Sequence, residues 1–216
     1  MSGTFSDLAI LQTIVGKVPW TLALSLVAFL GGAVVAALLT LAAILGGRYA
    51  ASLVSAITVL VQSTPLLMVI FLCFFGLPLI GVDVSPWLAS SLALIAFAGA
   101  FLTEIWRSAI RAVPSGQWEA SQASGLSRLQ ALWHVVLPQS IQIAIPPTVG
   151  FSVQVVKATA LTSIVGFVEV TRAGYVLNNV TFKPFFIFCV VGLVYMAINL
   201  PLSVTASKLE RHFASK

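Results

Sequence analysis

Charged positions are so sparse along this chain that the gaps between them organise it. Five charge-free runs stand out, at residues 18–47, 49–82, 84–103, 129–156 and 184–207. A helix needs about 20 apolar residues to cross a hydrocarbon core of ~30 Å, and each run is long enough. The predicted membrane spans are 18–46, 50–76, 86–110, 139–167 and 184–207. The second run is the ambiguous one, because its length and Pro65 also fit two short spans or a re-entrant segment. It is read here as one long helix leaving through 76–86, where Pro78, Gly81 and Pro86 disfavour helix.

Five spans sort the loop charges unevenly. One side receives Arg48, Arg107, Arg111, Arg128, Lys208, Arg211 and Lys216. The other receives Lys17, Arg172 and Lys183, against the loop acids Asp7, Asp83 and Glu169. Short loops rich in Lys and Arg stay in the cytoplasm, so the N-terminus is expected outside and the C-terminus inside. A sixth span from splitting the second run would scramble this asymmetry.

Composition agrees with the runs: 59% of the 216 residues are hydrophobic, 8% are charged, and mean hydropathy is +1.07. A soluble domain carries roughly 25% charged residues, so this one could not cover its surface. The expected fold is an all-α membrane protein, one domain over 1–216 without internal repeats. The net charge of +5 is scattered over loops, which argues against nucleic-acid binding. Cys73 and Cys189 sit inside apolar runs and read as small hydrophobes, not as a disulfide or metal site. His134 and His212 fall in loop or terminal regions, and no Ser/His pair or metal cluster suggests an enzyme. Residues 1–12 lack a basic stretch ahead of an apolar one, so a cleaved signal peptide is not expected.

The least hydrophobic region is 107–130. Pro114 and Gly116 should break the third span there, and Ser115 should cap a short helix over about 115–125. Trp118 and Glu119 are expected in its first turn and Gly125 at its end. From pattern alone the segment fits a docking element or an ordinary amphipathic connector equally well.

Within it, Glu119-Ala120-Ser121, three residues, Gly125, nine residues and Val135-Val136-Leu137-Pro138 resemble the EAA loop of ABC-importer permeases. The resemblance extends to permeases of polar amino-acid uptake, through Ser63-Thr64-Pro65-Leu66-Leu67, Ile145-Pro146-Pro147 and Glu169-Val170-Thr171-Arg172-Ala173-Gly174. It implies a non-enzymatic, multi-pass subunit of the bacterial cytoplasmic membrane. The implied partners are two ATP-binding subunits, a second permease chain (identical or homologous) and an external solute-binding protein. The chain has no Gly-x-x-x-x-Gly-Lys-Ser/Thr loop, so ATP and Mg are expected on the partner and no cofactor here. ATPase coupling is assigned to Glu119, Ala120, Ser121, Gly125, Arg128, Leu137 and Pro138.

Intramembrane ionisable residues mark substrate or ion paths by default. Glu104 near the end of the third span fits either substrate contact or a local pair with Arg107. Lys157, ten residues past Pro147 and so about 15 Å along a helix, falls near the midplane. It either pairs with Glu104 across the pore or snorkels to the surface. Gln154, Thr159, Gln62 and Thr64 complete the expected substrate pathway, with Pro65 as a packing kink or part of the path. Two departures from the family pattern matter: Ala158 stands where many relatives have an acid, and Gln62 where many have a base. The missing acid argues against a cationic substrate. An ion-coupled secondary transporter is the competing reading, opposed by the short chain and the lack of repeated halves.

Overall fold

A computed structural model describes residues 6–214. Eleven α-helical segments run in order: α1 (Asp7–Val15), α2 (Val18–Leu45), α3 (Gly47–Ser63), α4 (Leu66–Phe71), α5 (Leu77–Leu79) and α6 (Pro86–Ala112). They continue as α7 (Ser115–Ala123), α8 (Arg128–Ala131), α9 (Leu137–Ala158), α10 (Val170–Thr181) and α11 (Pro184–Ala214). Four continuous stretches are long and apolar enough to cross a membrane: Asp7–Leu45, Pro86–Ala112, Arg128–Val165 and Pro184–Phe213. The pair α3 with α4–α5 makes a fifth if counted as one bent span.

The centre of the fold is the seam between α2 and α6. On α2, Ala28, Gly32, Ala36 and Thr40 recur every fourth residue and are all buried. A row of small residues lets two helix backbones approach closely, which is how helices associate in lipid. At Gly32 the approach is so close that a Cβ would lie 2.5 Å from Ala98 Cβ and 2.9 Å from Gly99 N. Leu24, Leu94, Leu102, Phe151 and Phe167 pack around the seam.

The second apolar run is not the single long helix expected from its lack of charge. It bends by 98° between α3 and α4. Proline at 65 disfavours helical backbone at the residue before it, and Thr64 is extended at φ −89, ψ 127. The bend lies beside the middle of α6, where Gln62 Nε2 donates to Ala100 O at 3.2 Å. Beyond it, Ile70 on α4 packs against Ala93 on α6.

Two π-helical turns, Leu72–Gly76 and Leu132–Val136, share a cause. Each is followed by Leu-Pro, at Leu77-Pro78 and Leu137-Pro138. A proline within a helix cannot donate to the preceding turn and crowds its carbonyl, and a widened turn relieves both effects. The second turn joins α8 to α9, so that span begins earlier than the 139 expected. A segment the sequence did not reveal as a helix is α10, which packs with α1 and α11 through Ile10, Ile14, Val170, Leu177, Ile187 and Val191.

Candidate translocation pathway and coupling helix

The coupling segment starts where α6 stops. Val113 is extended at φ −67, ψ 125 because Pro114 follows it. The next helix, α7, has Pro114 at its N-cap with no side-chain cap. Ser115 is therefore the first helical residue and not the cap expected of it. Glu119 falls in the second turn and not the first, further from the positive end of the helix dipole.

The other end of α7 matches its sequence signal, two residues earlier than expected. Gly125 adopts φ +80, which a residue with a side chain takes up only at a cost. Its N–H donates to Gln122 O at 2.9 Å, and that of Leu126 to Ser121 O at 3.1 Å. These two bonds are a Schellman motif that stops the helix. A capping box then starts α8, with Ser127 and Gln130 bonded reciprocally at 3.3 and 2.9 Å.

One face of α7 is anchored and the other is presented. Trp118 packs with Ile110, Val113, Leu132 and Val136, bridging α6 to the turn before α9. Ser121 is buried and donates to Gln117 O, and Gln117 meets Gln139 at 3.3 Å. Glu119, Ala120, Gly125, Arg128 and Pro138 are exposed, whereas Leu137 packs with the Trp118 cluster. The EAA-like residues thus divide into an outward set and an inward pair, Ser121 and Leu137.

Further along α6, Gln62, Phe101, Glu104, Ser108, Ile143 and Pro147 line an open cavity of about 480 Å³. Glu104 forms ion pairs with Arg111 and, at 3.6 Å, with Arg107. Arg107 is itself 11% exposed and donates to Ser55 Oγ at 2.9 Å. Of the two readings of Glu104, the structure contains the local pair, extended to Arg111 two turns on. Thr64 Oγ1 donates to Leu60 O at 2.8 Å and so closes the end of α3 at the bend.

Lys157 does not meet Glu104. It lines a separate cavity of about 380 Å³ against α11, with Tyr195, Asn199 and Ser203. Ten residues of helix rotate a side chain by about 280°, which turns Lys157 away from the Pro147 face. Seven residues bring Gln154 back close to that face, and it is exposed. Among the described residues no carboxylate lies within 4.0 Å of Lys157. Asn199 Oδ1 beside it is buried without a hydrogen-bond partner. Thr159 is wholly buried, donating to Val156 O at 2.8 Å with Tyr195 Oη at 3.4 Å, and so lines neither cavity.

Residues 37–215 match the family described as "Binding-protein-dependent transport system inner membrane component". The chain belongs to this family. Relatives of this transport component include a probable glutamine ABC transporter permease, GlnM, of Bacillus subtilis (strain 168), 30% identical over 191 residues and 88% of each chain. The glutamine transport system permease GlnP of Escherichia coli (strain K12) is also 30% identical, over 193 residues and 88% of each chain. A crystal structure of an amino acid ABC transporter with histidines superposes with a TM-score of 0.90 at 25% identity, over 98% of this chain and 99% of that one. The methionine transporter MetNI, inward facing, shares the fold at a TM-score of 0.73 and 20% identity over 99% of each chain. The component is therefore a multi-pass transport subunit, with ATPase and binding-protein partners in the general sense of its family.

One polar cluster in this transport component escaped the sequence. Glu169, counted there as a loop charge, is entirely buried and caps α10. Its Oε1 accepts from Arg172 N and its Oε2 from Thr171 N, both at 2.8 Å. The Tyr195 hydroxyl on α11 donates to Oε2 at 2.8 Å and accepts from Thr171 Oγ1 at 3.1 Å. Nearby, Val170 N donates to Thr21 Oγ1 on α2 at 3.3 Å. Glu169 follows the spanning segment that ends at Val165. Burial pushes its carboxyl above the usual range, opposed by the hydrogen bonds from Thr171, Tyr195 and Arg172. Glutamate is not among the favoured N-cap residues, so no local signal announced the role.

Proposed function

We propose that this chain and a second permease chain, identical or related, form the pathway of an ATP-driven importer in the bacterial cytoplasmic membrane. The cargo is a polar amino acid delivered by an external solute-binding protein. Two ATP-binding subunits hold the ATP and Mg and dock on the α7 side, so the N-terminus faces out and the C-terminus in. The observation that carries this reading is the mounting of α7. Its buried face grips α6 through Trp118 and α9 through Gln139, while Glu119 and Ala120 stand free. A partner that moves α7 therefore moves two spanning helices together.

The cargo path runs past the break at Thr64–Pro65, along Gln62, Glu104 and Arg107, with Gln154 and Lys157 further along α9. A zwitterion needs partners of both signs when it leaves water. Glu104 and its arginines supply both signs within one cavity, and Lys157 adds a cation in the separate cavity against α11. Ala158 is an uncharged, buried position beside Lys157. That favours an uncharged side chain on the cargo, and glutamine, named for several relatives, is the first candidate.

The test is uptake of labelled glutamine by proteoliposomes holding the chain, its ATPase and its binding protein. Reversing a charge within an interface costs several kcal/mol, so Glu119→Lys should lower ATPase capture and uptake by at least about tenfold. Normal capture and uptake by that variant would remove α7 from the coupling role. Uptake that stops on dissipating the proton gradient while ATP remains would instead favour an ion-coupled carrier.

A further inference from the structure

At the α7 end of the bundle, four arginines converge on one cavity of about 360 Å³: Arg48, Arg107, Arg111 and Arg128. Arg48 follows the α2–α3 corner, Arg107 and Arg111 belong to α6, and Arg128 opens α8. Trp118 forms part of the wall. Two of the four guanidinium groups, those of Arg107 and Arg111, share the single carboxylate of Glu104. Among the described residues neither Arg48 nor Arg128 has a carboxylate within 4.0 Å, and both are exposed. A guanidinium cluster this short of counter-charge suits an anion, and its fork geometry matches phosphate oxygens.

The cavity does not stand alone. Ile110 also lines a second hollow of about 420 Å³ between α2, α6 and α9. Its other walls include Leu41, Trp106, Trp133, Ile141 and Ile145, with almost no polar surface. Trp133 is 54% exposed, and tryptophan concentrates where hydrocarbon meets headgroups. A basic pocket that shares the Ile110 wall with an apolar groove is complementary to one kind of molecule, a phosphate head on an acyl chain.

We propose that these two hollows bind one anionic phospholipid, with its phosphate among Arg48, Arg111 and Arg128 and an acyl chain in the groove beside Trp106 and Trp133. Lipid phosphate then supplies the counter-charge that the chain lacks at the junction of α2, α6 and the coupling segment. The site adjoins the Glu104 cluster through Arg111, while Arg48 and Arg128 lie outside the cargo path.

Brominated acyl chains, which quench tryptophan on contact, provide the test. The full-length chain is titrated in detergent with brominated phosphatidylglycerol or brominated phosphatidylcholine. Wild type should be half-quenched at a lower mole fraction of the anionic lipid. Each Lys or Arg near an anionic surface is worth about 1 kcal/mol, so Arg48→Gln should weaken that preference about fivefold. Arg48→Lys should retain most of it. Arg128→Gln gives an independent reading should Arg48→Gln be poorly folded. Equal half-points for the two lipids, or an unchanged preference in both glutamine variants, would overturn the proposal. Inorganic phosphate, added without lipid, separates the sources. It should leave the quench by phosphatidylglycerol in place. If it abolishes the preference at matched ionic strength, the pocket reads free phosphate and the lipid assignment fails. Loss of the preference when the ATPase subunits are bound would likewise overturn it, since the arginines would then serve that interface.

Discussion

The seam between α2 and α6 and the bend between α3 and α4 solve opposite problems within a few ångströms of each other. At the seam, Ala28, Gly32, Ala36 and Ala98 remove side chains so that two backbones close up with no room between them. At the bend, Pro65 forces an interruption, and Gln62 and Thr64 tie the loose end with hydrogen bonds to Ala100 O and Leu60 O. Both sit against the middle of α6. The seam admits one arrangement because packed surfaces cannot deform gradually. The bend exposes polar groups beside a cavity, as broken helices do in transporters. The seam serves as a fixed frame, and the bend presents Gln62 to the cavity of Glu104.

Breaking the seam should have the largest effect. Gly32→Leu would drive a side chain into Ala98 and the backbone of Gly99, neither of which can rotate away. Overpacking of this kind costs about 1–3 kcal/mol even where side chains can yield, and this site belongs at or above the upper end. The variant should melt far below wild type by fluorescence-detected size exclusion. Gly192→Leu is the control, because a Cβ there meets nothing within 4 Å. Its cost should stay within about 0.5 kcal/mol. Equal melting of the two variants would refute the frame.

The Glu169 corner should come next. Glu169→Ala removes the cap of α10 and strips Tyr195 of its acceptor, a combined loss of about 3 kcal/mol. Glu169→Gln keeps one acceptor oxygen and should lose about half of that. The pH dependence separates the two substitutions from generic damage. Burial raises the folded pKa of Glu169 above its unfolded value. Its stabilising contribution is then full below the unfolded pKa and is lost as pH rises through the folded one. Wild type should therefore gain melting temperature at this site on acidification, and Glu169→Gln should lack that component. A glutamine variant with the same pH profile as wild type would show that the carboxyl does not titrate in that range.

What could be read from the sequence follows from how local each cause is. Helices over 18–46, 86–110 and 184–207 were legible because missing charge is a property of each stretch alone, and α2, α6 and α11 cover these stretches, α11 running on to Ala214. The turn at Gly125 was legible because only a glycine accepts that φ cheaply. The bend at Pro65 was visible as a possibility only, since charge counting cannot distinguish a straight span from a broken one. Glu169 was counted as a loop charge because its side-chain partner, Tyr195, lies far along the chain. Pairing of Lys157 with Glu104, one of its two readings, rested on position along the chain, whereas direction around α9 follows from ten residues of helical rotation and turns the side chain toward α11.

The smallest effect on stability should come from Gln62, and it is the most informative about the bend. Gln62→Leu deletes one partly buried hydrogen bond, worth about 1 kcal/mol, to a carbonyl that α6 already engages through its own ladder. Melting should therefore hardly move. Gln62 also faces the cavity of Glu104 and Ser108, where a cargo would exchange water for protein groups. The apparent KM for labelled glutamine in proteoliposomes should rise severalfold while ATPase capture stays intact, since α7 is untouched. A purely structural role would reverse the pattern, lowering the melting temperature with KM unchanged. The contrast with Gly32→Leu then lies in which quantity responds: at the seam a substitution is read as lost folding, at the bend as lost cargo affinity.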